Sequence, residues 1–112
     1  MVLTDESDLV TSDHVLVETW LLLRHRLGRA AAETFWDGIR AGLATLECVG
    51  PLDLEAAHAI GEQFEDQDFS LVDRTSFALM QRLGIERAAT LDAHFSVYRY
   101  GRRREKAFIV VH

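Results

Sequence analysis

Apolar side chains recur at helical spacing in the first two of four predicted helices, and capping residues and glycines indicate the other two. Ser12 and Ser70 stand where N-caps are expected, and Gly28 and Gly84 stand where helices end. Asp53 is the predicted cap of the third helix. The four predicted helices cover residues 13–27, 29–41, 54–64 and 71–83. The first carries an apolar stripe that we expect to be buried, formed by Leu16, Trp20, Leu23 and Leu27.

Short apolar runs separate these helices and predict strands at residues 9–11, 44–49, 87–91 and 108–111. Pro51 ends the second run, which we interpret as a buried strand with Cys48 as a small buried side chain. Helices that alternate with short apolar strands indicate an α/β fold, with a parallel sheet covered by helices on both faces. In such sheets ligands bind beyond the carboxyl ends of the strands, and Asp92 follows one of them.

Length and composition narrow the class of protein further. A chain of 112 residues suffices for one domain, and we find no repeat or linker that would divide residues 1–112. One cysteine cannot form an internal disulfide, which fits a reducing compartment. No apolar run approaches the ~20 residues of a membrane span, and the acidic beginning MVLTDESD does not resemble a signal peptide. These features predict a single-domain, soluble, cytoplasmic protein that does not associate with membranes.

Charge is distributed unevenly along the chain. Residues 1–98 hold 7 basic and 17 acidic side chains, a net charge of −10, whereas residues 99–112 hold 5 basic and 1 acidic, a net charge of +4. The basic segment consists of Arg99, Arg102, Arg103, Arg104 and Lys106. Arginine matches phosphate geometry well, so the segment is either a phosphate-binding patch or a solvated loop.

Histidines offer no metal-binding pattern, because their spacing matches no known ligand arrangement. We therefore expect them to lie on the surface or at helix ends: His14, His25, His58 and His94. Three carboxylates attract more attention. Glu18 interrupts the apolar sequence of the first helix, Asp73 lies in the first turn of the fourth, and Asp92 follows a predicted strand.

Each of these carboxylates also has a purely structural explanation. Glu18 can be a helix-surface residue, and Asp92 can begin a turn. Asp73 stands three residues after Ser70 and can form a capping box with it. If all three lie at one end of a parallel sheet, however, they repel one another by several kcal/mol per close pair at an effective dielectric of about 20. A divalent cation removes that repulsion, and oxygen ligands suit Mg²⁺ or Mn²⁺.

At these residues the chain resembles the PIN-domain nucleases, in particular the VapC-like toxins of toxin–antitoxin modules. The segment VTSDHVLVETWLLLRHRLGR is similar to the family's second strand and the helix that bears a conserved acid, here Glu18. The segment QDFSLVDRTSFALMQRLGIERAATLDAHF is similar to the family's most specific block and offers Asp73, Asp92 and the closing Phe95. Thr75 or Ser76 resembles the hydroxyl that often hydrogen-bonds near the family's metal site.

The resemblance implies a metal-dependent ribonuclease. In this interpretation Glu18, Asp73 and Asp92 hold Mg²⁺ or Mn²⁺, which activates water for cleavage of RNA, and the basic segment contacts RNA phosphates. An antitoxin protein is the expected partner. The alternative is a non-catalytic interaction module that keeps the surface of the fold and binds an antitoxin or a second copy of itself.

One departure from the family pattern separates these hypotheses. PIN domains normally begin with an apolar strand that ends in an aspartate, followed by a helix, and neither Asp5 nor Asp8 follows such a strand. Three explanations stay open: the start codon is assigned downstream of the true one, the chain was shortened, or it is a natural remnant. We expect weak or no nuclease activity without the first acid, and two unpaired strand edges without the central strand. Such edges favour a homo-oligomer.

Overall fold

A computed structural model describes the backbone of residues 2–3, 9–90 and 94–111 and the side chains of residues 9–90 and 94–110. Within these residues the helices are α1 (Asp13–Leu27), α2 (Arg29–Arg40), α3 (Pro51–Gln63), α4 (Leu71–Leu83) and α5 (His94–Val97). The strands are β1 (Val2–Leu3), β2 (Leu9–Ser12), β3 (Thr45–Glu47), β4 (Arg87–Ala89) and β5 (Ile109–Val111). The sequence predicted this order apart from β1 and α5.

The strands form one sheet in the order β3-β2-β1-β4-β5. The pairs β2–β3 and β4–β5 are parallel, as the alternation of helices and strands predicted. The central strand β1 is antiparallel to both of its neighbours: Val2 lies opposite Val10 on one side and opposite Ala88 on the other. The expectation of two unpaired edges in the middle of the sheet is therefore wrong, because β1 pairs with both β2 and β4.

Helix ends agree closely with the capping pattern of the sequence. The Ser12 hydroxyl accepts a hydrogen bond from the Val15 N–H at 3.0 Å, and Gly84 ends α4 in the left-handed conformation with φ 70°. The third helix differs from its prediction, because Pro51 rather than Asp53 begins it. Proline suits the first helical position, where its missing N–H has no partner to lose. Asp53 then lies at the third position, and its carboxylate accepts from the Gly50 N–H at 3.0 Å.

Two expectations about burial were wrong. The strand β3 lies at the edge of the sheet, where Leu46 and Cys48 are exposed instead of buried. In α1, Leu16 is buried but Leu27 is 70% exposed, so only part of the predicted apolar stripe enters the core. Helical spacing shows which residues share a face, but not how much of that face a neighbour covers.

The core consists of two clusters of buried side chains. The larger one lies among α3, α4, α5 and the β4–β5 half of the sheet, reaches β2 through Val10, and contains Phe69, Phe77, Met80, Phe95, Tyr98 and Phe108. Phe77 and Tyr98 stack with ring centroids 4.4 Å apart. The smaller cluster joins α1, α2 and the start of β3 through Leu16, Ile39 and Ala44. None of the helices in the described part of the chain is long and apolar enough to cross a membrane.

An ion pair between a buried carboxylate and an exposed guanidinium joins α3 to α4. The Arg82 guanidinium donates to both carboxylate oxygens of Asp53, at 2.9 and 3.1 Å, while the Asp53 carboxylate also accepts from Gly50. Asp53 is buried, so its charge is compensated by directed hydrogen bonds rather than by water. The Arg82 hydrogen bond is the main cause that lowers the pKa of Asp53 below its usual 3.8.

We expect Asp53→Asn to destabilise the fold by about 1–3 kcal/mol near neutral pH, because it weakens the hydrogen bonds that a buried side chain makes with Arg82 and Gly50. A carboxyl whose pKa is lowered on folding stabilises the protein above its unfolded pKa of 3.8, and this contribution is lost as the pH falls through the folded pKa. Urea unfolding over a pH series measures the free energy of unfolding of the wild type and the variant, and the difference between them should narrow below pH 3.8. Asp37→Asn, at an exposed position on α2, is the matched control; a constant difference at all pH values would contradict the assignment.

Candidate functional site

The first turn of α4 carries the most specific of the predicted acids. Ser70 caps this helix: its hydroxyl accepts from the Asp73 N–H at 3.0 Å, and the Asp73 Oδ2 accepts from the Ser70 N–H at 3.1 Å. This reciprocal arrangement is the capping box that the sequence offered as the structural explanation of Asp73. It also holds the carboxylate in a buried position, since Asp73 is only 8% exposed.

A histidine that the sequence analysis placed among surface or helix-end residues contacts this carboxylate. His94 begins α5, and its Nδ1 lies 2.7 Å from the Asp73 Oδ2. The ring also packs edge-on against Phe69, with centroids 5.3 Å apart. The helix-end location was therefore predicted correctly, but the contact was not. The one feature of the sequence that could have indicated a role for His94 is its position two residues after Asp92.

The two candidate hydroxyls are both buried on α4. Thr75 donates to the Val72 carbonyl at 3.0 Å, and its oxygen lies 3.4 Å from Nδ1 of His14 on α1. Thr75 thus connects the start of α4 with the start of α1. Ser76 lies one position further along the helix, also out of contact with bulk solvent.

Glu18 lies on α1, one turn after His14, and is exposed. It faces a hollow of about 460 Å³ that α1 shares with the first turn of α4, lined by Asp13, His14, Val17, Glu18, Leu21 and Val72. Val72 immediately precedes Asp73. The structure therefore brings Glu18 to the same region of the surface as the start of α4.

The third predicted acid, Asp92, lies outside the described residues. Within residues 9–90 and 94–110, no three histidine, cysteine or acidic side chains form a group that could hold a metal ion. The chemistry of the donors nevertheless fits a hard divalent cation, because Asp73, Glu18 and Thr75 all supply oxygen atoms. Two of the three predicted acids, Glu18 on α1 and Asp73 on α4, therefore lie on helices that contact each other.

The basic segment forms an exposed loop closed by an antiparallel bridge between Tyr100 and Lys106. Arg99 donates to the carbonyls of Ser96, Val97 and Tyr98, which satisfies backbone oxygens at the end of α5.

The other arginines of the loop differ in what they contact. Arg104 adopts a positive φ of 53° and places its guanidinium over the Phe64 ring, 5.4 Å from the centroid. Within the described residues, neither Arg102 nor Arg103 forms an ion pair through its side chain.

Comparison with known proteins places this arrangement in a family. The model of the PIN domain matches residues 2–100, which is most of the chain. The chain belongs to the PIN-domain family. This confirms the resemblance that the acidic residues and their surrounding segments indicated, together with the predicted α/β fold class.

Individual relatives agree with this assignment. The chain is 35% identical over 94 residues to the 23S rRNA-specific endonuclease VapC20 from two strains of Mycobacterium tuberculosis, CDC 1551 / Oshkosh and H37Rv. Each match covers 79% of this chain and 67% of the relative. The crystal structure of Mycobacterium tuberculosis VapC20, described as a sarcin–ricin loop cleaving toxin, is also similar. It superimposes with a TM-score of 0.74 at 37% identity and covers 80% of this chain and 69% of that one.

Proposed function

We propose that this PIN domain is an endoribonuclease of the VapC toxin type that depends on a divalent metal ion. The observation that carries the proposal is the 35% identity to a 23S rRNA-specific endonuclease over 94 residues, a span that includes most of the fold. The buried Asp73 and the neighbouring Glu18 supply the chemistry that such an enzyme needs. An RNA loop related to the sarcin–ricin loop is the substrate class that the similar structure favours.

In this proposal Glu18, Asp73 and Asp92 hold Mg²⁺ or Mn²⁺. Such an ion, when bound, lowers the pKa of a coordinated water and neutralises charge that develops on a phosphodiester. The protein contributes orientation: the capping hydrogen bonds fix Asp73, and Thr75 ties α4 to α1 so that Glu18 keeps its place beside the first turn. Ser76 is the second candidate for a supporting hydroxyl.

In this proposal the basic segment binds RNA. Arg102, Arg103 and Lys106 are exposed and would contact phosphates, which attract arginine and lysine without regard to sequence. Arg99 and Arg104 use their guanidinium groups within the protein, where they hold α5 and the loop in position. Their contribution to RNA binding is therefore indirect, through the shape of the loop.

A second candidate function rests on an apolar surface of α1 and α2. Trp20, Trp36 and three neighbouring apolar residues of this helix pair, Leu16, Val17 and Leu21, line a hollow of about 580 Å³ together with Glu33. Val17 and Leu21 are more than half exposed. A contiguous apolar surface of this kind marks a protein interaction site, so the chain is alternatively a module that binds an antitoxin or a second copy of itself.

We expect Asp73→Asn to reduce the rate of RNA cleavage by about 100-fold or more. Removal of a residue that hydrogen-bonds to a metal ligand typically costs 10–100-fold in metal affinity or activity, and loss of the ligand itself should cost at least as much. The assay follows an RNA hairpin that carries the sarcin–ricin loop, with Mg²⁺ or Mn²⁺ and with a chelator. Asp68→Asn, at an exposed position before α4, is the control and should cleave normally. Cleavage that survives both Asp73→Asn and the chelator would contradict the proposal.

We expect the double variant Arg102→Ala/Arg103→Ala to bind single-stranded RNA more weakly and with a shallower dependence on salt. Each lost phosphate contact reduces the slope of log affinity against log salt by about 0.7. Fluorescence anisotropy in chelator-containing buffer measures both quantities without cleavage. Arg29→Ala/Arg40→Ala removes the same charge from exposed positions of α2. An equal loss of RNA affinity in the two double variants would show that the effect comes from net charge and not from the basic segment.

We expect the chain to form a homo-oligomer through the apolar surface of α1 and α2, and Leu21→Glu to shift it toward the monomer. The introduced charge would lose its hydration at such an interface. Light scattering over a concentration series reports the mass, and circular dichroism verifies that the fold persists. Leu52→Glu, at an 81% exposed position on α3, is the matched control. A wild-type protein that stays monomeric at every concentration would exclude self-association and leave the antitoxin as the partner to test.

A further inference from the structure

His94 occupies a fixed place between the core and the buried acid of α4. Its ring packs against the Phe69 ring at an interplanar angle of 78°, and its Nδ1 contacts the Asp73 carboxylate. We propose that His94 is a positioning residue, which orients the Asp73 carboxylate so that it can bind the cation. This inference rests on the proposed function and concerns the geometry of a ligand, not a new ligand.

The hydrogen bonds of Asp73 define that geometry. The Ser70 N–H and the His94 Nδ1 both contact Oδ2, at 3.1 and 2.7 Å. An ionised carboxylate only accepts hydrogen bonds, so the Nδ1 atom carries the proton and donates it. Among the described residues, no donor contacts the Asp73 Oδ1. Both contacts that the described side chains and backbone make with this carboxylate thus go to Oδ2, and in the proposed site Oδ1 coordinates the cation.

The ring that makes this bond is itself held in place. Phe69 is buried in the larger core cluster, and Phe95, the next residue after His94, is part of the same cluster. The side chain of His94 is 34% exposed, so the core fixes one part of the ring while another part reaches solvent. A donor on a fixed ring selects one rotamer of the acid, which a flexible donor would not do.

A purely structural role for His94 makes a different prediction from the positioning role. If the ring only fills space beside Phe69, the shape of the side chain matters and the Nδ1 donor does not. If the donor orients Asp73, its loss lowers metal affinity even where the ring is preserved. Removal of such outer hydrogen-bond partners typically costs 10–100-fold in affinity.

Two substitutions separate the donor from the ring. His94→Phe keeps an aromatic ring beside Phe69 but removes the donor. His94→Asn places an amide N–H₂ where Nδ1 lies but removes the ring. We expect His94→Phe to bind Mn²⁺ about 10–100-fold more weakly than the wild type with a similar thermal midpoint. We expect His94→Asn to retain most of the affinity at a lower midpoint.

The measurement is a titration of the purified, RNA-free full chain with Mn²⁺ alone, followed by electron paramagnetic resonance, with thermal unfolding recorded in parallel. His25→Phe, at an exposed position in the last turn of α1, is the matched control and should bind as the wild type does.

Equal or tighter Mn²⁺ binding by His94→Phe would overturn this inference but not the proposed function, because the wild type would still bind metal. A wild type that neither binds Mn²⁺ nor cleaves RNA would instead overturn the proposed function, and the inference with it.

Discussion

The reciprocal hydrogen bonds between Ser70 and Asp73 determine much of this site. A helix begins with N–H groups that lack partners inside the helix, and the Ser70 hydroxyl and the Asp73 carboxylate satisfy two of the backbone donors at this end. Together with the His94 contact, these bonds hold a buried carboxylate with which no arginine or lysine of the described residues forms an ion pair. The start of α4 and the placement of the proposed metal ligand Asp73 therefore depend on one local arrangement.

Local signals in the sequence were the ones that predicted structure well. The bounds of α1 and α4 follow from Ser12, Ser70 and Gly84, because a cap acts on the turn beside it. Glu18 could be selected for a similarly local reason, since it interrupts the apolar pattern of its helix, whereas Asp73 was selected through its grouping with the other acids and the resemblance to the PIN family. The ion pair between Asp53 and Arg82 could not, because it joins residues 29 positions apart on two helices.

Features that depend on distant parts of the chain escaped prediction. The strand β1 has only two residues, too few for a periodic pattern, and its antiparallel direction is set by neighbours that come later in the chain. The exposure of Leu46 follows from the position of β3 at the sheet edge, which no property of that segment reveals. His94 was interpreted as an ordinary helix-end residue for the same reason: its partner Asp73 lies 21 positions earlier.

The shortness of β1 has a consequence for the cooperativity of the molecule. Only two residue pairs connect β1 to β2, and two more connect it to β4, so few backbone hydrogen bonds cross the middle of the sheet. Val10 of β2 carries the larger hydrophobic cluster across this seam, whereas the buried members of the smaller cluster lie on α1, on α2 and just before β3. Coupling between the two halves of the sheet therefore depends on side chains as well as on these few strand pairs. The contact between Thr75 and His14, which reaches from α4 to α1, adds a polar link beside the hollow that contains Glu18.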